Sequence, residues 1–542
     1  MKNSKLLFIG LIYLIVCNFS FAQVSAEMVI NLNPSSFAGP HSLFAFNDSL
    51  WFVDHDGIHG NELWISDGTQ EGSRLFADLI EGGGGSNPEN LFLFNNELFF
   101  TAKNLSGRRE LYKTDGTEAG IVKLGYQFGS STPVPDEFVA YNNLLIYVWD
   151  SSAVGQELWR SDGTPGGTYL LKDIYPESED SEPENLLVVN GILYFTAHDG
   201  TGRELWKTDG TESGTVMVED INPTGTSKPN WLVDFNGTLY FAAGDGTNEY
   251  AIYKTDGITT LKVAVPDTQN TYGSAGIYGL TYFDGAIFFN AYDTEHDFEL
   301  WRSDGTTTGT NMFIDIDTTW TMVNPGSHPE SFKVINNKLF FSAKESIHNQ
   351  EPWVTNGTVN GTKMIKNINA SDNSDIQEFF GFEGNAFFGA NDGVNGYELW
   401  TSDGAETGTF MIENLNGTEG GFYGDHVEYD SKLYFTGIDG TNGVALLKVI
   451  NFSNVVEPYE TTQFEIYPNP ATSIINLKSV VCSQQSTTVA LYDLNGRKLL
   501  NKHIPAGSEE VTVDVSGLES GVYFCRLIME NKSVTKKLII NK

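Results

Sequence analysis

The sequence predicts an all-β protein: a large β-propeller of about nine four-stranded blades followed by a small Ig-like β-sandwich. Three observations predict it. The chain holds 36 Phe, 23 Tyr and 56 Gly but only 19% charged residues, which suits strands joined by tight turns and excludes a helical bundle or a disordered chain. A motif of the form ELWxSDGT recurs along most of the length at a nearly constant interval. Before each copy lie two short apolar runs separated by a pair of turn-forming residues, the pattern of a β-hairpin.

The N-terminus opens with Lys2 and Lys5, continues through an apolar run from Leu6 to Val16, and reaches Ser20-Phe21-Ala22. A basic start, a short apolar stretch and small residues before a cut describe a secretory signal peptide over residues 1–22, too short for a lasting membrane anchor. The rival reading, a lipoprotein signal with Cys17 lipidated, is disfavoured by the bulky Val16 before it. No other stretch approaches the ~18 apolar residues of a membrane helix. The mature chain then carries two cysteines, Cys482 and Cys525. A disulfide between them would close a 43-residue loop, worth about 4 kcal/mol in the chain-entropy account; two buried free thiols fit the sequence equally well.

Repetition fills residues 23–450. ELWISDGT (62–69), ELYKTDGT (110–117), ELWRSDGT (157–164), ELWKTDGT (204–211), AIYKTDGI (251–258), ELWRSDGT (299–306), EPWVTNGT (351–358) and ELWTSDGA (398–405) place their shared glycines 48, 47, 47, 47, 48, 52 and 47 residues apart. Hairpin pairs precede them, from Asn47-Asp48 to Asp430-Ser431, and residues of these types tolerate the positive φ of a type I′ turn. An alternating strand follows each motif, such as YLLKDIY (169–175), VMVEDIN (216–222) or FMIENLN (410–416). Each unit thus has four strands, A after the motif, B and C in the hairpin, and D in the motif itself, linked by turns too short for parallel crossovers. Four antiparallel strands at this period read as propeller blades. The array starts with an A strand (27–33) and ends with a D strand (444–450), so the first strand can complete the last blade and remove an open edge. An open solenoid is the competing architecture.

The motif's aromatic is Trp64, Tyr112, Trp159, Trp206, Tyr253, Trp301, Trp353 or Trp400. One large ring at one strand position in every unit reads as inter-blade core, with a row of sugar-stacking platforms as the functional alternative. The Asp-Gly pairs read as turn chemistry. Clustered carboxylates can also ligate Ca²⁺, but no full calcium loop is present, so no metal or cofactor is expected. Glu62, Glu110, Glu157, Glu204, Glu299, Glu351 and Glu398 read as a repeated structural hydrogen bond. With these residues in view, the array resembles the ELWxxDGTxxGT repeat family of exported bacterial proteins; ELWRSDGTTTGT (299–310) fits its pattern throughout, while repeats five and seven depart from it. The resemblance implies architecture and no particular reaction.

Residues 451–463 break the period and read as a linker. Beyond it, 464–542 has strand patterns and turn signals of an antiparallel sandwich. Pro468, Asn469 and Pro470 in YPNP, Asp493 and Gly496 in YDLNG, Gly521 and Tyr523 in GVY, and the pair Lys536-Lys537 make this segment similar to the C-terminal sorting domain of the type IX secretion system. The resemblance implies that the secretion machinery is a partner, and that the protein travels through the periplasm to the outer-membrane surface or the medium.

Lys plus Arg number 32 against 70 Asp plus Glu, a net −38. Residues 463–542 hold 9 basic and 7 acidic residues, and residues 23–462 hold 21 and 63. A cargo that acidic repels phosphate backbones, so nucleic acid is excluded as a partner. The nine His are scattered, and no HExxH, G-x-S-x-G or Cys-rich spacing is present. Function is then expected where the repeat is irregular, in A-to-B loops that share one rim. Trp320, in a longer loop, and Glu179, Asp180 and Glu182, in an acidic one, are the candidate ligand-binding residues. The expected role is non-enzymatic binding of a surface protein, glycan or matrix component; the alternative is a secreted polysaccharide-active hydrolase or lyase.

Overall fold

A computed structural model of the chain describes residues 24–34, 39–125, 137–247, 250–266, 276–318, 326–438, 440, 443–450, 452, 464–479, 487–492, 498–504, 510–529 and 532–542. The expected signal segment, Cys17, Trp320, Cys482, Asp493 and Gly496 lie outside them, as does all but residue 452 of the linker. The chain divides into two compact units, 1–451 and 452–542. Both are all-β, with short 3-10 turns in the first and no α-helix in either among the described residues.

Among the described residues, the first unit contains nine four-stranded antiparallel sheets. Sheets 1 to 8 follow in chain order over 41–77, 89–123, 138–172, 184–219, 230–264, 277–314, 330–364 and 379–411, each in the order B, C, D, A. Sheet 9 takes B, C and D from Phe422–Tyr429, Lys432–Ile438 and Val444–Ile450, and its fourth strand from Ser25–Ile30 at the other end of the chain. That strand runs antiparallel to the last, with Ser25 opposite Ile450 and Met28 opposite Leu447. The arrangement is consistent with a propeller.

Local chemistry sets each hairpin. All nine B-to-C turns have positive φ at both central residues, from Asn47 and Asp48 to Asp430 and Ser431. These are the dihedrals that match the twist of the flanking strands. The A strands are shorter than the alternating pattern suggests: Tyr169–Lys172, Val216–Glu219 and Phe410–Met411. Their expected tails leave the sheet because the amides of Ile174 and Tyr175, and those of Leu415 and Asn416, donate to the motif glutamates instead.

Packing runs from each sheet to the next. Trp159 of sheet 3 lies in one buried cluster with Phe99 and Leu111 of sheet 2, and Trp206 of sheet 4 in another with Ile146 and Leu158 of sheet 3. Tyr253, Trp301, Trp353 and Trp400 likewise pack on the sheet before their own. Trp64 of sheet 1 packs with Tyr434 and Leu446 of sheet 9. These rings thus lie in clusters that join successive sheets. Seven of the eight rings are buried; Tyr112 is half-buried and packs on a cluster shared by sheets 1 and 2. Each ring also faces an aromatic on its own C strand, as in Phe195 opposite Trp206 and Phe341 opposite Trp353. The apolar residue before the ring points the other way: Leu111 and Leu158 sit in clusters shared with the following sheet.

B strands of successive sheets lie against one another, as Asn230–Phe235 does with Ile277–Phe283 and His41–Phe46 with Phe422–Tyr429. Hydrogen bonds join sheet 9 to sheet 1, from the Tyr429 hydroxyl to the Asp48 carbonyl (2.7 Å) and from the Ser42 amide to Asp425 Oδ2 (2.6 Å).

In the second unit, strands Phe464–Tyr467, Ile474–Ser479 and Glu510–Asp514 form one antiparallel sheet, and Lys498–Ile504, Thr487–Tyr492, Gly521–Met529 and Lys532–Ile540 form another. Ile475, Leu477, Val489, Leu491, Val513, Cys525 and Leu538 share one core. Cys525 is a buried free thiol, and burial pushes it up to about 12.

Candidate functional site

The repeated motif is a self-contained lock on the D-to-A turn. In sheet 4, Asp209 Oδ1 accepts from the amide (2.9 Å) and hydroxyl (2.6 Å) of Thr211, and the Thr211 hydroxyl oxygen accepts from the Gly214 amide (3.0 Å). Thr208 and Thr215 pair through their hydroxyls at 2.7 Å. A Cβ on Gly214 would overlap the Asp209 carboxylate, which explains the second glycine of DGTxxGT. Sheets 3 and 6 repeat the scheme through Asp162, Thr164 and Gly167 and through Asp304, Thr306 and Gly309. The carboxylates' acceptor capacity goes to their own turns, which hold Asp162, Asp209 and Asp304 below the usual carboxylate range. Among the described residues no three His, Cys, Asp or Glu side chains are grouped to hold a metal ion.

The basic residue after the ring has a second role that sequence reading missed. Arg160, Lys207 and Lys254 donate to the carbonyls of Gly210, Gly257 and Gly305, each in the turn of the next sheet, at 2.6, 2.5 and 3.3 Å. The signal for it was a Lys or Arg between the ring and the Ser or Thr of the motif.

The motif glutamates are sealed from water, and all but Glu110 tie down their own A-to-B loops. Glu157 accepts from the amides of Ile174 and Tyr175 (both 3.0 Å) and the hydroxyl of Ser181 (2.7 Å). Glu299 accepts from the amides of Ile316 (2.8 Å), Asp317 (3.3 Å) and Ser327 (2.9 Å) and from the Ser327 hydroxyl (2.6 Å). Glu62 bonds Ser86 and Glu204 bonds Ser227 in the same way. Glu110 instead accepts from Lys123 Nζ at 2.9 Å and from the Tyr112 hydroxyl at 3.0 Å. Burial outweighs the donors, so Glu157, Glu299, Glu351 and Glu398 are pushed up to about 7. They stand one to a sheet, each with its own loop; they do not converge.

A cavity of about 800 Å³ opens where sheets 5, 6 and 7 meet, on the rim that carries the A-to-B and C-to-D loops. Trp231 of sheet 5 and Tyr278 of sheet 6 stand edge to face at 6.5 Å, and Tyr278 continues to Phe298 (5.9 Å) and on to His328 (4.8 Å). Asn290 and Lys344 on C strands, and Glu330, Gln350 and Asn373 beyond them, supply polar groups. Gln350 Nε2 donates to Glu330 Oε1 and to Ser342 Oγ (3.2 Å), and its amide donates to Asn373 Oδ1 (3.0 Å). Burial lowers the Lys344 ammonium and raises the Tyr278 hydroxyl. Trp231 occupies the left-handed region at φ 56°, at the bulge where other B strands carry Ser42, Asn90, Asn185 or Ser331 at similar φ. An indole held there is strained.

Of the three candidates in the acidic loop, Asp180 Oδ1 accepts from the Gln156 amide (2.8 Å), Glu182 pairs with Arg203 (2.6 Å), and the Glu179 carbonyl lies beside Gly155. None of the three lines the cavity. Trp231 was missed, although it is a tryptophan outside the motif position just as Trp320 is.

In the second unit, Asn469 clamps the last strand: its Nδ2 donates to the Lys537 carbonyl (2.9 Å), and its Oδ1 accepts from the Ile539 amide (2.8 Å). Pro468 and Pro470 flank it, each after a cis peptide bond. The Tyr523 hydroxyl donates to the Glu519 carbonyl at 2.9 Å. Lys536, Lys537, Tyr467 and Asn469 border a shallow pocket of about 380 Å³, so the YPNP and KK segments, far apart in sequence, meet. Residues 465–541 match the secretion system C-terminal sorting domain. The sorting domain marks the protein for export by the type IX route and for an extracellular or cell-surface location. No helix among the described residues is long and apolar enough to cross a membrane.

No curated protein matches the chain. Among solved structures, it is similar to puromycin hydrolase (13% identity over 68% of this chain, TM-score 0.31). It is also similar to acylaminoacyl peptidase of Pyrococcus horikoshii (11%, 83%, 0.34) and to prolyl oligopeptidase B of Galerina marginata (10%, 83%, 0.38). The chain spans 61%, 59% and 56% of those structures' lengths.

Proposed function

We propose that the protein is a secreted or surface-held binding module: a closed nine-bladed propeller of the ELWxxDGT type that the sorting domain delivers through the type IX machinery and then leaves by proteolytic removal. Its rim engages a glycan, matrix component or surface protein without chemical turnover. The observation that carries this reading is the distribution of perturbed carboxylates. Hydrolysis needs acid and base groups at one centre; here Glu157, Glu299, Glu351 and Glu398 are each buried in a different sheet and accept hydrogen bonds from their own loops. The rim cavity, by contrast, combines accessible rings with convergent amides, the makeup of a recognition site.

Two measurements test the proposal. Deleting residues 465–541 should trap the chain in the periplasm, and the intact chain should reach the medium or the surface. The labelled mature chain should bind cells or their matrix saturably and release no reducing sugar or peptide from that material. Turnover of any polymer by the purified chain, or non-saturable adsorption, would overturn the binding reading.

A further inference from the structure

We propose that the cavity between sheets 5, 6 and 7 is a binding site for a neutral oligosaccharide, with Trp231 as its stacking platform and Asn290 as its deepest polar contact. The inference rests on the binding reading above and names the ligand class.

Three independent features point to it. Trp231 is 40% exposed yet held in a left-handed backbone conformation that its counterparts fill with Ser or Asn. Exposure of an indole and strain in its backbone are both costs, and they coincide at a cavity mouth. Asn290, only 5% exposed, lines the same cavity, and its Oδ1 has no hydrogen-bond partner among the described residues. At the same register Thr101, Thr196 and Ser342 donate their hydroxyls to the B-strand carbonyls of Glu89, Glu184 and Glu330. Sheets 1 and 5 carry the apolar Val53 and Ala242 there, whereas sheet 6 places a buried acceptor awaiting a donor, which a buried group normally finds.

The third feature is the mix of groups. A pyranose presents C–H faces that cover an aromatic ring and hydroxyls that both donate and accept at its edge. Trp231 and Tyr278 supply the surface; Asn290 Oδ1, with Gln350, Glu330 and Asn373 around it, supplies edge partners. Residues 23–462 hold 63 acidic against 21 basic residues, a field that repels uronic or sulfated polymers and leaves neutral ones unpenalised.

The test titrates the full mature chain with cellohexaose, xylohexaose, mannohexaose and chitohexaose, read by tryptophan fluorescence and calorimetry. At least one should bind with a dissociation constant at or below the millimolar range. Trp231→Ala should weaken that binding about tenfold or more, and Asn290→Ala severalfold. Tyr423→Ala, removing an exposed ring on the B strand of sheet 9, should leave it unaltered. Failure of all four sugars to bind, or equal binding by Trp231→Ala, overturns the inference. If the chain still binds cell-derived material while no sugar competes, the saccharide assignment falls and the binding reading stands; if neither binds, both fall.

Discussion

Glu299 accepts four hydrogen bonds while cut off from water, and this makes stability depend on pH. Its folded carboxyl titrates at about 7 because of burial, and the unfolded one near the ordinary ~4.3. Between those values the folded state holds more protons, so stability is fully present at low pH, declines as pH rises toward 7, and levels off above. Glu157, Glu351 and Glu398 act in the same direction. Each unit of upward displacement corresponds to about 1.4 kcal/mol, so the melting temperature should fall measurably between pH 5 and pH 8 at fixed salt. Glu299→Gln, unable to ionise, should flatten that slope; an unchanged slope would exclude the glutamate as its source. The role of the glutamates was legible in the sequence because a residue present in seven copies is structural more readily than catalytic. Their serine partners were not, since a spacing of about 24 residues in sheets 1 and 3 becomes 28 in sheet 6.

At the scale of one strand, Ser25–Ile30 closes the edge of sheet 9 by pairing with Val444–Ile450. Without it the D strand would present unpaired amides and carbonyls flanked by Leu446 and Leu447, a template for self-association. Deletion of residues 23–32 should produce oligomers on size-exclusion chromatography, and a peptide spanning 24–33 added in trans should restore the monomer. A deletion variant that stays monomeric and as heat-stable as the parent would show that the strand is dispensable. This element was visible in advance because an array that begins in A and ends in D has one strand over at its start and lacks one at its end. Where its pairing stops was less visible, because the tails of the A strands exchange sheet bonds for the glutamate latch.

For the whole molecule, buried clusters join neighbouring sheets and hydrogen bonds join sheet 9 to sheet 1. Calorimetry should therefore resolve two unfolding transitions, one for each compact unit, with the larger unit melting as one. A staircase of partial transitions within it would instead indicate an open array, in which sheets depend only on immediate neighbours. The architecture was readable because periodicity is a property of the sequence itself. The cavity was not, since it takes three successive sheets, one displaced indole and one unsatisfied amide to make it, and no single repeat contains all of these.

The directional packing has a genetic consequence. Copies turn the ring toward the predecessor and the apolar residue before it toward the successor, as Tyr112 and Leu111 or Trp159 and Leu158 do, so a duplicated or excised copy carries both halves of its own contacts. Unequal crossing-over can lengthen or shorten the gene by whole modules without leaving a mismatched seam. Only the ninth is exempt, because its strands are encoded at opposite ends of the reading frame and no single duplication can copy it.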